Sequence, residues 1–240
     1  MKVKRVLINK EKDAFYIKEL NKDFHTQFGV IKSKDLNKNK LKTNTGKNFF
    51  SFDPQFIDLY DNKKRNAQII LKKDIGIIIA ETGIGKDSVI VEAGGGSGAL
   101  SCFLANIAKK VVSYEIREEF IKTIQENIQS MNLENIEIKK KDIKDIDEKN
   151  VDAVILDLLE PEKYVKKCLN AVKEGGFLVA YTPSVTQVIS FVESVKKIND
   201  AVYLKTIEII ERKWKIEGKI SRPEFNMLGH TGFLSFVRKL

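Results

Sequence analysis

Apolar and polar positions along this chain follow two different rhythms, which meet near residue 60. Before that point the apolar runs are short and broken by turn residues. Val3–Ile8 and Ala14–Ile17 flank the polar stretch Asn9–Asp13, which predicts a hairpin with a short loop. Gly29 and Gly46 mark further turns, and Lys32–Lys42 reads as a lysine- and asparagine-rich loop. Phe49, Phe50, Phe52 and Phe56 close this part and are assigned to a small β core in preference to base stacking. Residues 57–73 lead on to an apolar helical segment, Ile75–Ala80, followed by Gly83 and Gly85.

From Ser88 onward strand and helix signals alternate. Val89–Ala93 is a β-branched, apolar run that reads as a buried strand. Leu100, Phe103, Leu104 and Ile107 then recur at i, i+3, i+4 and i+7, one face of a helix. Val111–Glu115 is a second strand. Arg117–Met131 is a helix whose apolar face is Phe120, Ile121, Ile124, Ile128 and Met131. Ile136 and Ile138 mark a third strand and Val151–Leu158 a fourth. Val165–Val172 reads as a helix closed by Gly175-Gly176, and Phe177–Tyr181 as a fifth strand. Val185, Val188, Ile189, Val192 and Val195 give another amphipathic helix, and from Thr206 two strands are joined by a long polar loop. Such alternation implies an α/β fold with a mainly parallel sheet covered on both faces. The expected organisation is a small β-domain over 1–60 and an α/β domain over 61–240.

The first candidate chemistry sits where the first of these strands turns into its helix. Glu92 precedes Gly94, Gly95, Gly96, Ser97 and Gly98, and glycines at such a turn let backbone approach a ligand closely. Glu115 ends the next strand 21 positions after Gly94, placed to accept hydrogen bonds from a ribose. An adenosine ribose is common to NAD and S-adenosylmethionine, so the acid does not separate them. The spacing does: E-x-G-x-G-x-G, and not G-x-G-x-x-G, favours S-adenosylmethionine. Asp142, just past the third strand, is placed for an adenine amino group or for water. Asp157 could cap a helix, but at the end of an almost wholly apolar strand it lies where ligands of open α/β sheets collect, which favours function.

Composition sharpens this picture in one respect. The net charge is +9, and residues 1–73 hold 18 Lys+Arg against 8 Asp+Glu, a balance of +10. All of the excess lies ahead of the cofactor motifs, which points to a polyanionic partner, most plausibly nucleic acid. The start, MKVKRVLINKEK, lacks a signal-peptide core, and no apolar run approaches the ~18 residues of a membrane span, so a cytoplasmic protein is expected. Cys102 and Cys168 fall in apolar helical contexts and read as buried thiols, with a disulfide left open; no metal-type spacing exists.

Several longer stretches carry a resemblance. HTQFGVI (25–31), TNTGKNFF (43–50), RNAQIILKKD (65–74), EAGGGSGAL (92–100), SYEIREEF (113–120), DLLEP (157–161), YTPSVTQV (181–188) and RPEFNMLGHTGFL (222–234) together resemble the TrmI-type tRNA adenine-N1 methyltransferases, in particular their archaeal branch. The resemblance implies a Rossmann-like class I S-adenosylmethionine-dependent methyltransferase fold with a small N-terminal β-domain, a homotetramer, and 1-methyladenosine as product at T-loop adenine 58, with adenine 57 open as a second target. It implies that Gly94, Gly96, Ser97, Gly98, Ala99 and Leu100 line the cofactor, with Phe120 also on the cofactor side. Glu115 would hold the ribose, Asp142 and Ile143 the adenine ring, and Gln68 would lie over the cofactor. Asp157 would be the catalytic residue and also touch the cofactor, while Arg222 and His230 are candidates for substrate binding, with a hydrogen-bonded structural histidine in the closing turn as the equal alternative for His230. Leu159 departs from the family's usual proline in this loop. Two other readings compete: a catalytically silent RNA-binding subunit, and a methyltransferase acting on isoaspartyl protein or a corrinoid. The first should lack the glycines, Glu115 or Asp157; the second leaves the basic N-terminal part unexplained.

Overall fold

A computed structural model describes residues 2–240, which fall into two compact units: residues 2–64 with 125–133, and residues 65–124 with 134–240. The first unit contains strands β1 (Arg5–Ile8), β2 (Ala14–Ile17), β3 (Phe24–Thr26), β4 (Gly29–Ile31), β5 (Lys40–Lys42) and β6 (Asn48–Phe52), and the short helix α1 (Phe56–Asp61). β1 and β2 form the expected hairpin, with Arg5 opposite Ile17 and Ile8 opposite Ala14. Its sheet order is β2-β1-β6-β5. The inward residues Leu7, Ile17, Leu41 and Phe49 pack with Ile31 and Leu36 into one core. Two expectations change here. Lys32–Lys42 is not loop throughout, because Leu41 is apolar enough to anchor β5 against β6. The phenylalanine cluster is also divided: β6 alternates, so Phe49 faces the core while Phe50 and Phe52 face outward.

The second unit continues with α2 (Lys72–Thr82), β7 (Val89–Ala93), α3 (Ala99–Ala105), β8 (Lys110–Tyr114), α4 (Glu118–Met131), β9 (Ile136–Lys139), β10 (Val151–Leu156), α5 (Val165–Leu169), β11 (Val172–Thr182), α6 (Val185–Val195), β12 (Ala201–Glu208), β13 (Trp214–Glu217), β14 (Ile220–Pro223) and β15 (Phe233–Lys239). The last turns of α4 group with the first unit. The main sheet has the order β12-β15-β11-β10-β7-β8-β9. β7 to β11 pair in parallel, and β15 runs antiparallel to β11 and β12. Strands β7 and β10 are buried along almost their whole length, as their continuous apolar runs require.

Three local readings differ. Gly175-Gly176 does not close a helix but lies inside β11, where the register on β10 jumps from Val151–Val172 to Ala153–Phe177. Gly175 has φ +71°, and a Cβ on Gly176 would lie 2.8 Å from the Asp152 carbonyl oxygen, so this bulge admits only glycine. α6 buries Phe191 and Val195 and leaves Val185 and Ile189 exposed, because its apolar positions span more than one face and the largest side chain takes the core. The strand expected from Thr206 begins at Ala201, and the polar loop after it folds back as the β13–β14 hairpin. Cys102 and Cys168 are buried thiols with no disulfide. No helix among the described residues is long and apolar enough to cross a membrane.

Candidate active site at the ends of three adjacent strands

Register alone assembles the site. Ala93 of β7 pairs with Tyr114 of β8 on one side and with Leu156 of β10 on the other. The next residue on each strand is Gly94, Glu115 and Asp157, so three residues far apart in sequence stand in one row across neighbouring strands, spaced at ~5 Å intervals. β7 lies where the strand order reverses, the position at which open α/β sheets form their ligand crevice. A cleft of about 300 Å³ opens there, lined by Gly94, Glu115, Ile116, Arg117, Asp142, Ile143, Asp157, Leu158, Leu159 and Tyr164 among others.

The glycine turn is shaped by its surroundings. Gly94 has φ +93°, and a Cβ on it would sit 2.1 Å from the carbonyl oxygen of Asp157. In return the Asp157 N–H donates to the Ala93 carbonyl at 2.9 Å, so turn and aspartate are locked edge to edge. Gly96, at φ +52°, differs: a Cβ there would find nothing closer than the Ala67 Cβ at 3.6 Å. Gly96 is buried, and its left-handed backbone, not lack of space, is what calls for glycine there. Gly98 caps α3 at φ +74°.

Glu115 is almost fully buried and saturated with donors. Its carboxylate accepts from the N–H groups of Gly96 at 2.9 Å, Ile116 at 2.9 Å and Arg117 at 3.0 Å, and from the Arg117 guanidinium at 3.0 and 3.2 Å. Burial by itself would raise its pKa, but the Arg117 side chain and the backbone donors outweigh that and hold it below the usual range. Asp157 is different. Burial pushes its carboxyl up to about 7, against the pull of the Arg117 charge. Behind the row, Glu92 is buried on β7 and accepts from the Ser113 hydroxyl at 3.2 Å. Burial pushes it up to about 8, so it is a neutral acid at pH 7.

The other expected residues divide into two groups. Asp142 and Ile143 line the cleft, and the Asp142 carboxylate also accepts from the Lys144 N–H at 2.8 Å, capping a 3₁₀ turn. Ser97, Ala99 and Leu100 are buried at the start of α3, and Phe120 lies beneath the Arg117 guanidinium at 3.9 Å. Gln68 is exposed ahead of α2 and does not line the cleft. Arg222 stacks on Phe225 at 4.0 Å and donates to the Pro223 carbonyl. His230 sits between Glu208 Oε1 at 2.5 Å and the Pro183 carbonyl at 2.8 Å. Both of its partners are acceptors, and they raise its pKa, the Glu208 hydrogen bond foremost. Neither Arg222 nor His230 lines the cleft, and the histidine has the contacts of a structural clasp.

Sequence reasoning passed over Arg117, whose only signal is its place two residues after the ribose acid. It also missed a buried polar knot. The Thr231 hydroxyl donates to Asp74 at 3.1 Å and accepts from Lys73 at 2.6 Å, while Tyr181 donates to the Thr231 carbonyl at 2.7 Å. The knot joins three of the stretches quoted above, the starts of α2 and β15 and the end of β11. Among the described residues no group of three or more His, Cys, Asp or Glu could hold a metal.

Comparisons with known proteins agree with this geometry. Residues 59–220 match the family described as the tRNA methyltransferase complex GCD14 subunit. The chain is 34% identical to the tRNA (adenine(57)-N(1)/adenine(58)-N(1))-methyltransferase TrmI of Methanocaldococcus jannaschii, over 98% of this chain and 94% of that one. Among solved structures, an S-adenosylmethionine-dependent O-methyltransferase from Thermotoga maritima superposes with a TM-score of 0.90 at 30% identity, covering 99% of this chain and 93% of that one. The tRNA (m1A58) methyltransferase TrmI of Aquifex aeolicus superposes with 0.83 at 28% identity, over 100% and 98%. A parallel sheet, a glycine turn and two strand-end carboxylates in register thus occur in a chain that belongs to the GCD14/TrmI family of tRNA methyltransferases.

Proposed function

We propose that this protein is a tRNA (adenine-N1)-methyltransferase that uses S-adenosylmethionine to methylate T-loop adenine 58, with the neighbouring adenine 57 as a second target. The observation that carries the reading is the row Gly94–Glu115–Asp157 along one cleft. S-Adenosylmethionine supplies an electrophilic methyl group on a sulfonium. Glu115, kept ionised by its backbone donors, offers its oxygens to the ribose hydroxyls, and the half-exposed Arg117 side chain is the donor that can yield its place. Asp142 and Ile143 take the adenine end of the cleft, Phe120 backs the Arg117 guanidinium from outside the lining, and Gln68, which does not line the cleft, would have to reach the bound cofactor from the segment ahead of α2.

Adenine N1 carries a lone pair in the neutral base, so the chain has no need of a strong general base. Its task is to hold N1 in line, a matter of proximity and orientation. Asp157 accepts a hydrogen bond from the adenine N6 amino group, and its charge stabilises the positive charge that develops on the methylated ring. The target base is turned out of its stack to reach it. Leu159, 80% exposed at the rim, gives that base an apolar edge to lean on, and the Gln187 amide steadies this loop by donating to the Leu159 carbonyl at 2.7 Å. The basic region over 1–60 serves RNA binding, and 61–240 is the methyltransferase domain. Exposed Trp214, Ile216 and Phe225 around the β13–β14 hairpin support a homotetramer, and the tRNA substrate a cytoplasmic location.

The test is methyl transfer from labelled S-adenosylmethionine to an unmodified tRNA transcript, followed by nucleoside analysis. The wild type should form 1-methyladenosine, and Asp157→Ala should lose activity by ~100-fold at saturating cofactor. Cofactor binding without tRNA methylation, or a product methylated on oxygen, would overturn the reading.

A further inference from the structure

The N-terminal unit carries an aromatic and basic surface outside the methyl-transfer cleft. On β6 the buried Phe49 and Ser51 alternate with Phe50 and Phe52, which are 40% and 39% exposed. Register places Phe50 between Ile8 of β1 and Lys40 of β5, Phe52 beside Val6, and Lys42 beside Asn48. With a side-chain period of two, these aromatic and basic positions share one face of the sheet. At its edge a cleft of about 490 Å³ is lined by Lys10, Lys40, Lys47 and Phe50, among others.

The charges on this face are not neutralised within the chain. Lys22, Lys32, Lys38 and Lys47 each pair with a carboxylate. Lys10, Lys40 and Lys42 are exposed and make no ion pair among the described residues. The one acid at the cleft, Glu11, is already engaged by Lys47 at 2.9 Å. A protein partner would have to desolvate three unpaired ammonium groups, which is costly. A single-stranded polyanion with flat bases meets both features at once, since phosphates take the lysines and bases take the rings.

We propose that this face binds unpaired nucleotides of the tRNA, with Phe50 and Phe52 stacking on bases and Lys10, Lys40 and Lys42 pairing with phosphates. The proposal rests on tRNA being the substrate. The experiment titrates full-length protein with unmodified tRNA transcript at several salt concentrations, with cofactor binding and methyl transfer at saturating tRNA measured alongside. Phe50→Leu with Phe52→Leu keeps apolar bulk on the strand but removes the ring faces. It should raise the tRNA Kd at least ~10-fold, with cofactor affinity and the saturated rate unchanged. Lys10→Gln, Lys40→Gln and Lys42→Gln together should lower the slope of log affinity against log salt by about 2 to 3. An unchanged Kd in the leucine variant, or an unchanged slope in the glutamine variant, overturns the proposal. So does a change of oligomeric state in the leucine variant, which would make a second copy the occupant. Should the wild type methylate tRNA while the variants bind it normally, only this inference falls; should it bind no tRNA, the proposed function falls with it.

Discussion

Asp157 is held between two opposing influences, burial that favours its neutral form and the Arg117 charge that favours the anion. If it acts by accepting a hydrogen bond and offsetting positive charge, only the ionised form works. The carboxyl is pushed up to about 7, so methyl transfer should climb with pH and level off above about 7. Arg117→Gln removes a nearby positive charge, disfavours the anion, and should move that midpoint to higher pH. Initial rates from about pH 5.5 to 9 check both statements, and a flat wild-type profile would show that the charge on Asp157 is not needed.

At the scale of elements, the turn joining β7 to α3 is the least forgiving part of the site. A methyl group on Gly94 meets backbone, the Asp157 carbonyl, and not a side chain that could move aside. Gly94→Ala should therefore displace the aspartate loop, weaken cofactor binding at least ~10-fold and cost about 1 to 3 kcal/mol of stability. Gly85 has open space around it and Gly85→Ala should be silent by comparison. Cofactor titration and calorimetry on the two variants give the contrast.

These strands and their ends are legible in the sequence because an apolar run followed by an acid or a glycine has few other readings. Once three such runs pair in parallel, the row of site residues follows. The rotation of α6 is not legible, since its apolar positions span more than one face and only packing around Phe191 decides between them. Nor is the direction of an arginine such as Arg117, which depends on what lies within reach of a long flexible chain. The outward turn of Phe50 and Phe52 is hidden for another reason: neighbouring aromatics look like core until the strand's alternation is fixed.

Over the whole molecule, the pH dependence of stability should carry the mark of Glu92. Burial raises its folded carboxyl from the ordinary 4.5 to about 8, so the folded state binds this proton more tightly than the unfolded chain does. The stabilisation is complete below about 4.5 and is lost as pH rises through about 8. Asp157, raised to about 7, adds in the same direction. Thermal unfolding of the wild type should thus fall to lower temperature between about pH 5 and 8, while Glu92→Gln should be markedly flatter and the more stable of the two at about pH 8.

The placing of Gly94, Glu115 and Asp157 one step beyond register-paired residues has a consequence for how such chains change over time. Distances within the row are set by the spacing of strands and owe nothing to the length of the connections between them. Residues can be gained or lost in an exposed connection such as 86–87 with the row intact. One residue removed from within β10 would turn Asp157 to the opposite side of the sheet. Descent in this lineage is therefore better traced through three short strand endings than through overall length, because the connections can drift while those endings cannot.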